Sequence, residues 1–151
     1  MRRGEREIAE RREIDAILAR VPVLYLGLLD GGRPYVVPVN FGYDGRNLYI
    51  HSAAAGRKIE ALRREPEVSF VAVDGAEVVP AAEACRWTSR YRSVMGTGTV
   101  FFLEDAAAKG RALDCLLRKF APGPFRYDPA ALARTAVLRI EIREVTGKRG
   151  G

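Results

Sequence analysis

Four residues between positions 52 and 58 form a pattern that suits a bound phosphate. Ser52 stands at the end of a predicted strand, and after three alanines Gly56, Arg57 and Lys58 open a predicted helix. A hydroxyl, the free N–H groups of a first helical turn and two cations can together hold an anion. A solvated first turn with ordinary basic residues explains the same sequence about equally well. Both interpretations remain open on the spacing alone.

The single histidine of the chain, His51, lies directly before this segment. Strand alternation places His51 on the same side as Tyr49. An imidazole there could exchange a proton with a substrate, although a lone histidine on a strand is more often a structural residue. No serine or cysteine nucleophile is identifiable beside it, so acyl transfer has no support. One histidine also excludes a two-histidine metal site within one chain, and no metal is expected.

A second candidate region mixes arginines with aromatic residues. Three arginines and two aromatic residues alternate in Cys85-Arg86-Trp87-Thr88-Ser89-Arg90-Tyr91-Arg92-Ser93. Such a mixture can stack on a nucleotide and neutralise its charge, which makes nucleic-acid binding one hypothesis. The same composition is typical of protein interfaces, so a dimer contact is the main alternative. Cys85 has no visible activating partner, which favours a structural thiol.

The chain opens with an amphipathic helix. Over about residues 3–20, Ile14, Ile17, Leu18 and Val21 recur at helical spacing and place one apolar stripe among charged faces. Pro22 ends this helix. We interpret its mixed charges as a solvated surface and not as a nucleic-acid arm.

The remaining elements predict a mainly β fold. Strands are predicted over 23–29, 34–43, 47–52, 67–73, 90–103 and 137–145, helices over 57–65 and 104–120, and a loop over 76–86. Glycine turns at 30–32 and 44–45 indicate that the first three strands form an antiparallel meander. Gly96 and Gly98 indicate a bend or a close backbone approach within their strand. With about six strands, three helices and no internal linker, residues 1–151 read as one domain, a small barrel over about 22–148 with peripheral helices.

Composition limits the classes of function. The chain has 151 residues, of which 48% are hydrophobic, and this supports a self-sufficient core. A net charge of +6 favours an anionic partner, either a phosphate-bearing cofactor or nucleic acid. No apolar run reaches membrane-spanning length and the first residues do not resemble a signal peptide, so we expect a cytoplasmic protein without a membrane partner. Cys85 and Cys115 are expected to be free thiols.

Taken in order, several segments resemble the pyridoxamine 5'-phosphate oxidase-related family of FMN-binding split barrels, and most of all its nitroimidazole-resistance (Nim-like) branch. The resemblance is carried by Pro34-Tyr35-Val36-Val37-Pro38-Val39-Asn40-Phe41-Gly42-Tyr43-Asp44, Leu48-Tyr49-Ile50-His51-Ser52, Gly56-Arg57-Lys58-Ile59, Trp87-Thr88, the run from Arg90 to Gly98, Ile140-Glu141-Ile142 and Thr146-Gly147-Lys148. It covers roughly residues 21–148 without large gaps.

The resemblance implies a six-stranded antiparallel split barrel that forms a homodimer with FMN at the subunit interface. By position, the FMN-binding residues would be Pro38, Val39, Asn40 and Phe41 through their backbone beside the isoalloxazine ring, Ser52, Arg57 and Lys58 at the phosphate, and Arg92 and Ser93 from the partner chain. His51 would face the flavin, where it binds substrate or delivers a proton.

The expected function is therefore that of an FMN-dependent oxidoreductase. Electrons from a nicotinamide or another donor would pass to a small electrophile such as a nitroaromatic. The vitamin B6 oxidases of this family hold pyridoxal phosphate with an arginine and a histidine near the C-terminus. No histidine follows His51 in this sequence, so vitamin B6 oxidase activity is not expected. The family also includes members that use a deazaflavin or bind haem. The alternatives are a non-enzymatic barrel that binds nucleic acid through residues 86–92, and a flavin carrier or sensor without its own substrate.

Overall fold

Eight strands form one antiparallel sheet in the computed structural model, which describes residues 4–151. The strands are β1 (Glu7–Ile8), β2 (Val23–Asp30), β3 (Arg33–Asn40), β4 (Gly42–Tyr43), β5 (Asn47–Ala53), β6 (Glu67–Val79), β7 (Thr88–Leu103) and β8 (Thr135–Gly150). Their spatial order is β3-β2-β6-β7-β8-β5-β4, with β1 beside β8. The predicted mainly β class is confirmed. All six predicted strands are present, but the predicted number of six is too low. The strand predicted over 34–43 is divided into β3 and the two-residue β4, and the two-residue β1 is not predicted.

Four α-helices surround the sheet: α1 (Arg11–Arg20), α2 (Arg57–Arg64), α3 (Ala106–Leu117) and α4 (Pro129–Ala133). The prediction of a helix from about residue 3 is wrong for its first part, and residues 1–3 lie outside the described chain. Ile8 is 1% exposed, and β1 pairs with Gly147 and Lys148 of β8, which holds this segment extended until α1 begins. The short α4 was not predicted. It begins after Asp128, whose side chain accepts a hydrogen bond from the N–H of Ala131.

Strand alternation builds the core. The inward-facing residues are almost fully buried along each strand, and they include Leu24, Leu26, Leu48, Ile50, Val68, Phe70, Ala72, Leu138 and Ile140. Helix α1 adds Ile14, Ile17 and Leu18 to this core, as its apolar stripe predicts, and α2 adds Ile59 and Leu62. The core therefore lies inside the curved sheet and is covered where the helices cross it.

The predicted three-stranded meander is only half correct. β2 pairs with β3 over its whole length, but β3 does not pair with β5. The chain changes partners at Phe41, and only β4 pairs with β5, through Gly42 opposite Tyr49 and Tyr43 opposite Leu48. β5 pairs over its whole length with β8. This change of partner leaves the barrel open between β3 and β5.

The strands β6, β7 and β8 are longer than the sequence predicts. Part of the predicted loop over 76–86 belongs to β6, which extends to Val79 and pairs with the start of β7 beyond an irregularity between Asp74 and Glu77. The close backbone approach predicted at Gly96 and Gly98 is confirmed. A Cβ at Gly98 would lie 2.5 Å from the backbone oxygen of Glu141, and the β7–β8 register shifts beside it.

A buried lysine fastens α4 and the start of β8 to α3. Lys109 is 7% exposed, and its Nζ donates to the backbone oxygens of Thr135 at 2.9 Å and Leu132 at 3.3 Å. We expect Lys109→Met to lower the free energy of unfolding by about 1–3 kcal/mol, because methionine fills the space without donating. Urea denaturation measures the difference. Arg111→Met, at an exposed position of the same helix, should change stability by less than about 0.5 kcal/mol. Equal effects of the two substitutions would contradict the fastening role.

Candidate functional site

The opening between β3 and β5 contains most of the predicted site residues on its two sides. If the β4–β5 register continued, Asn40 would lie opposite His51 and Pro38 opposite Ala53. Instead these two residues of β3 pair with Val23 and Tyr25 of β2. We call the space between residues 38–40 and residues 51–53 the split. Along it, each strand has one edge whose backbone N–H and C=O groups have no ladder partner within residues 4–151. These edges can hydrogen-bond a flat, polar ligand.

Alternation on β3 decides which groups reach the split. Val39 and Phe41 point into the core and are 9% and 0% exposed, so only their backbone groups are available there. Phe41 is also covered by Lys119, whose Nζ lies 3.3 Å from the ring centroid and donates to the backbone oxygens of Leu18 and Val21. Burial lowers the pKa of Lys119 to about 8. The cofactor-binding role expected for the backbone of residues 38–41 stays a prediction.

The polar side chains of the split come from both strands. Asn40 is exposed, and its Nδ2 donates to the backbone oxygen of Pro22 at 3.0 Å, which fixes the amide at the end of β3. On β5, His51 is exposed and Ser52 is half-buried. His51 is therefore free to meet a ligand from solvent, as a substrate-binding or proton-donating residue must be.

One end of the split is closed by the start of α2. Gly56 precedes this helix with a φ of 113°, a left-handed conformation that favours glycine. No side chain caps the first turn, so its N–H groups are available to a ligand. Lys58 follows, half-buried, and burial lowers its pKa. Its ammonium has no ion pair or hydrogen bond among the described residues. A desolvated cation beside uncapped helical N–H groups fits a phosphate.

Arg57 is held by partners from the β2–β3 hairpin. Its Nε donates to Asp30 at 2.8 Å, and its guanidinium lies 4.2 Å from the centroid of the Tyr35 ring. The Asp30 carboxylate also accepts a hydrogen bond from Nη2 of Arg64 at 2.7 Å. The hydrogen bond from Arg57 lowers the pKa of Asp30, so the carboxylate keeps its charge. Arg57 thus lies at the α2 end of the split, but part of its charge is already compensated by Asp30. Lys58 is the stronger candidate ligand.

The sequence does not predict the contacts of Asp30 and Tyr35 with Arg57. By its sequence context Asp30 is a turn residue, and Tyr35 is part of a strand. Their contacts with Arg57 depend on how α2 lies against the hairpin, and no local pattern signals that arrangement.

Arg92 and Ser93 do not join the split within one chain. They lie on β7, which β2 and β6 separate from β3. Arg92 is 3.0 Å from Asp74, and Asp74 also binds Arg20 at 2.5 Å. Ser93 is 7% exposed. Their expected approach to the cofactor from a partner chain stays a prediction.

The arginine-aromatic segment forms the tip and return strand of the β6–β7 ribbon. Its arginines lie near carboxylates, with Arg86 at 3.1 Å from Glu83, Arg90 at 3.6 Å from Glu77 and Arg92 at 3.0 Å from Asp74. The indole of Trp87 is 55% exposed and donates to Ala81 at 2.9 Å. Because these arginines have acidic neighbours, the segment has less uncompensated charge for nucleic acid than its sequence suggests.

Apolar side chains are exposed on the outer face of the sheet next to the split. Val36, Tyr25, Met95 and Val73 are 62%, 46%, 45% and 40% exposed, respectively. They come from the neighbouring strands β3, β2, β7 and β6, and a groove of about 550 Å³ runs beside Val36. Such a patch is typical of an interaction surface.

Residues 4–151 contain neither a membrane-spanning helix nor a metal-binding cluster. No helix in this part of the chain is long and apolar enough to cross a membrane. In the same residues, no group of three or more His, Cys, Asp or Glu side chains is placed to hold a metal ion.

Comparison with known proteins identifies the family. A solved structure from Bacteroides thetaiotaomicron, described as a candidate 5-nitroimidazole antibiotic resistance protein, is 34% identical over 96% of this chain and 87% of its own, with a TM-score of 0.87. A FAD- and haem-binding protein from Mycobacterium smegmatis is 26% identical over 95% of this chain and 73% of its own, with a TM-score of 0.86. A flavocytochrome from Azotobacter vinelandii is 25% identical over 99% of this chain and 71% of its own, with a TM-score of 0.87. The family model for pyridoxamine 5'-phosphate oxidase matches residues 10–149, so the chain belongs to the pyridoxamine 5'-phosphate oxidase family.

Proposed function

We propose that this protein is a flavoprotein oxidoreductase that binds a flavin nucleotide in the split. The observation that carries the proposal is the half-buried ammonium of Lys58, which has no partner within residues 4–151 and lies beside the uncapped first turn of α2. Among the similar proteins, one binds FAD and haem and another is a flavocytochrome, which supports a flavin for this chain. We propose FMN specifically, because one ammonium and one helix start match a single phosphate monoester.

The residues of the split would divide the binding between them. Lys58 and the first N–H groups of α2 would hold the phosphate. Arg57 would lie beside them, hydrogen-bonded to Asp30. The free backbone edge of β3 at residues 38–41 would pair with the polar edge of the ring. A bound flavin supplies reversible electron transfer between a nicotinamide or other donor and a small electrophile such as a nitroaromatic. His51 would hold the proton that the reduced product takes up.

We also propose that the protein is a homodimer. The exposed apolar face formed by Tyr25, Val36, Val73 and Met95 adjoins the split, and covering it with a second copy would remove that surface from water. This arrangement would also provide a route for Arg92 and Ser93 to approach the partner's cofactor. Light scattering after gel filtration measures the mass. A monomer at micromolar concentration would contradict this part of the proposal.

The phosphate site is tested by comparing FMN with riboflavin, which lacks the phosphate. We expect Lys58→Met to weaken FMN binding by about tenfold or more, because it removes a charge-assisted hydrogen bond of roughly 1.5–3 kcal/mol. Riboflavin binding should be unchanged in the same variant. Flavin fluorescence titration measures all four affinities.

The results distinguish whether the protein binds a flavin from whether Lys58 binds the phosphate of that flavin. If FMN and riboflavin bind wild type equally, the phosphate site is wrong although a flavin is bound. If neither they nor FAD binds, the flavoprotein proposal fails. Arg12→Met, at an exposed position on α1, removes one positive charge from outside the proposed phosphate site and should leave FMN affinity unchanged.

A further inference from the structure

A second cavity lies between α3 and the outer side of the sheet and shares no lining residue with the split. Its volume is about 400 Å³. Leu103 and Ala112 form part of an apolar wall, while Tyr49 of β5, Cys115 of α3 and Arg139 of β8 contribute polar groups. The cavity is thus large enough for a small organic molecule and has both polar and apolar sides.

Arg139 has an unsatisfied donor at this cavity. Its Nη2 donates to Glu141 at 2.6 Å, and its guanidinium lies 5.2 Å from the centroid of the Phe101 ring, so the group is fixed in position. Its Nε, however, is buried and donates to no acceptor within residues 4–151. A buried N–H without an acceptor is costly, and a small turn of the Arg139 side chain toward the cavity would let a ligand oxygen accept from it.

A second guanidinium is available at the same cavity. Arg111 lines it from the exposed side of α3 and forms no ion pair with any described residue. The charge of Arg139 is partly compensated by Glu141, so Arg111 supplies the uncompensated charge for an anionic ligand. The planar guanidinium groups of both arginines suit a carboxylate in particular.

The other titratable groups of the cavity add one negative charge. Burial opposes ionisation of Asp44, but hydrogen bonds from Asn47, Tyr49 and Arg46 lower its pKa, and these donors occupy both carboxylate oxygens. Burial and then Asp44 raise the pKa of Tyr49 to about 12, so the phenol is neutral. Burial also raises the pKa of the Cys115 thiol. The resident charge of Asp44 favours a monoanion over a phosphate dianion.

We propose that this cavity is a binding site for a small organic monocarboxylate. Its carboxylate would accept from the Nε of Arg139 and from Arg111, and its apolar body would lie against Leu103 and Ala112. This proposal does not rest on the flavin proposed for the split.

The test uses flavin-free full-length protein with benzoate as the probe and benzamide as its neutral isostere. We expect saturable benzoate binding by calorimetry and at least tenfold weaker benzamide binding. Arg139→Gln and Arg111→Gln should each weaken benzoate binding by about tenfold. Arg12→Gln, at an exposed position on α1 that does not line the cavity, is the matched control and should bind benzoate like the wild type.

The position of the ligand is tested through Cys115. In a Cys85→Ser background, which removes the exposed thiol, bound benzoate should slow the alkylation of Cys115 by iodoacetamide severalfold. Arg111 is exposed, so its variant keeps the test valid if Arg139→Gln fails to fold. Equal affinity for benzoate and benzamide, no effect of Arg111→Gln, or unprotected Cys115 would each overturn the proposal.

Discussion

Replacing His51 by alanine is expected to lower the rate of flavin-dependent reduction of a nitroaromatic acceptor by about a hundredfold. A positioned general acid contributes about 10²–10⁴-fold to a rate, and the lower limit is appropriate because His51 is exposed and water can deliver part of the protons. The affinity for FMN should change by less than about threefold, since Lys58 and the first turn of α2 remain. Stopped-flow reoxidation of the reduced protein by the acceptor measures the effect.

Chemical rescue distinguishes proton delivery from a structural role of His51. The substitution leaves space at an exposed position, so free imidazole should restore part of the lost rate in a concentration-dependent way. Exposed substitutions of this kind usually change stability by less than about 0.5 kcal/mol, and the melting temperature should stay close to the wild-type value. Full turnover without imidazole would withdraw the catalytic role of His51 and leave only a binding role.

Gly42→Ala is expected to destabilise the protein by about 2–3 kcal/mol. Gly42 lies on β4, where the strand has left β2 and pairs with Tyr49. A Cβ at this position would lie 2.6 Å from the backbone nitrogen of Leu116 and 2.8 Å from the carbonyl carbon of Cys115. Backbone atoms cannot move away by rotating a side chain, so α3 as a whole must shift. Denaturant unfolding measures the loss.

Gly110→Ala on the same helix is the matched control and should have the opposite sign. Gly110 lies within α3, and a Cβ there would be 4.0 Å from its nearest neighbour, the ring of Tyr127. Replacing an unhindered helical glycine by alanine stabilises by roughly 0.5–1 kcal/mol. If Gly42→Ala were neutral, α3 would not lie as close to β4 as the structure places it, and the cavity beside Cys115 would also be in doubt.

At the proposed phosphate site, some features follow from neighbouring residues in the sequence and others depend on residues that are distant in the sequence. Gly56 before Arg57 and Lys58 predicts a helix start with cations, and the structure places that start at the end of the split. The same pattern does not reveal that Asp30 and Tyr35 hold Arg57 while Lys58 has no partner among the described residues. Side chains far apart in sequence decide which of the two cations is available. The proposal therefore rests on Lys58.

The sequence by itself determined the local elements. Alternating apolar residues predict the six long strands, the glycine turns predict the β2–β3 connection, and the spacing of Ile14, Ile17 and Leu18 predicts the buried face of α1. These features depend on neighbours within a few residues, so they can be predicted from short windows of sequence.

Only the tertiary structure decided which strand edges meet. The sequence predicts one strand over residues 34–43, yet the chain changes its pairing partner at Phe41. The split exists because β3 pairs with β2 while β4 pairs with β5. The cavity lined by Arg111 and Arg139 likewise exists only because α3 packs beside β5 and β8. Strand pairing and helix placement are set by burial of residues distant in sequence, and alternation within a strand is the same whichever partner lies beside it.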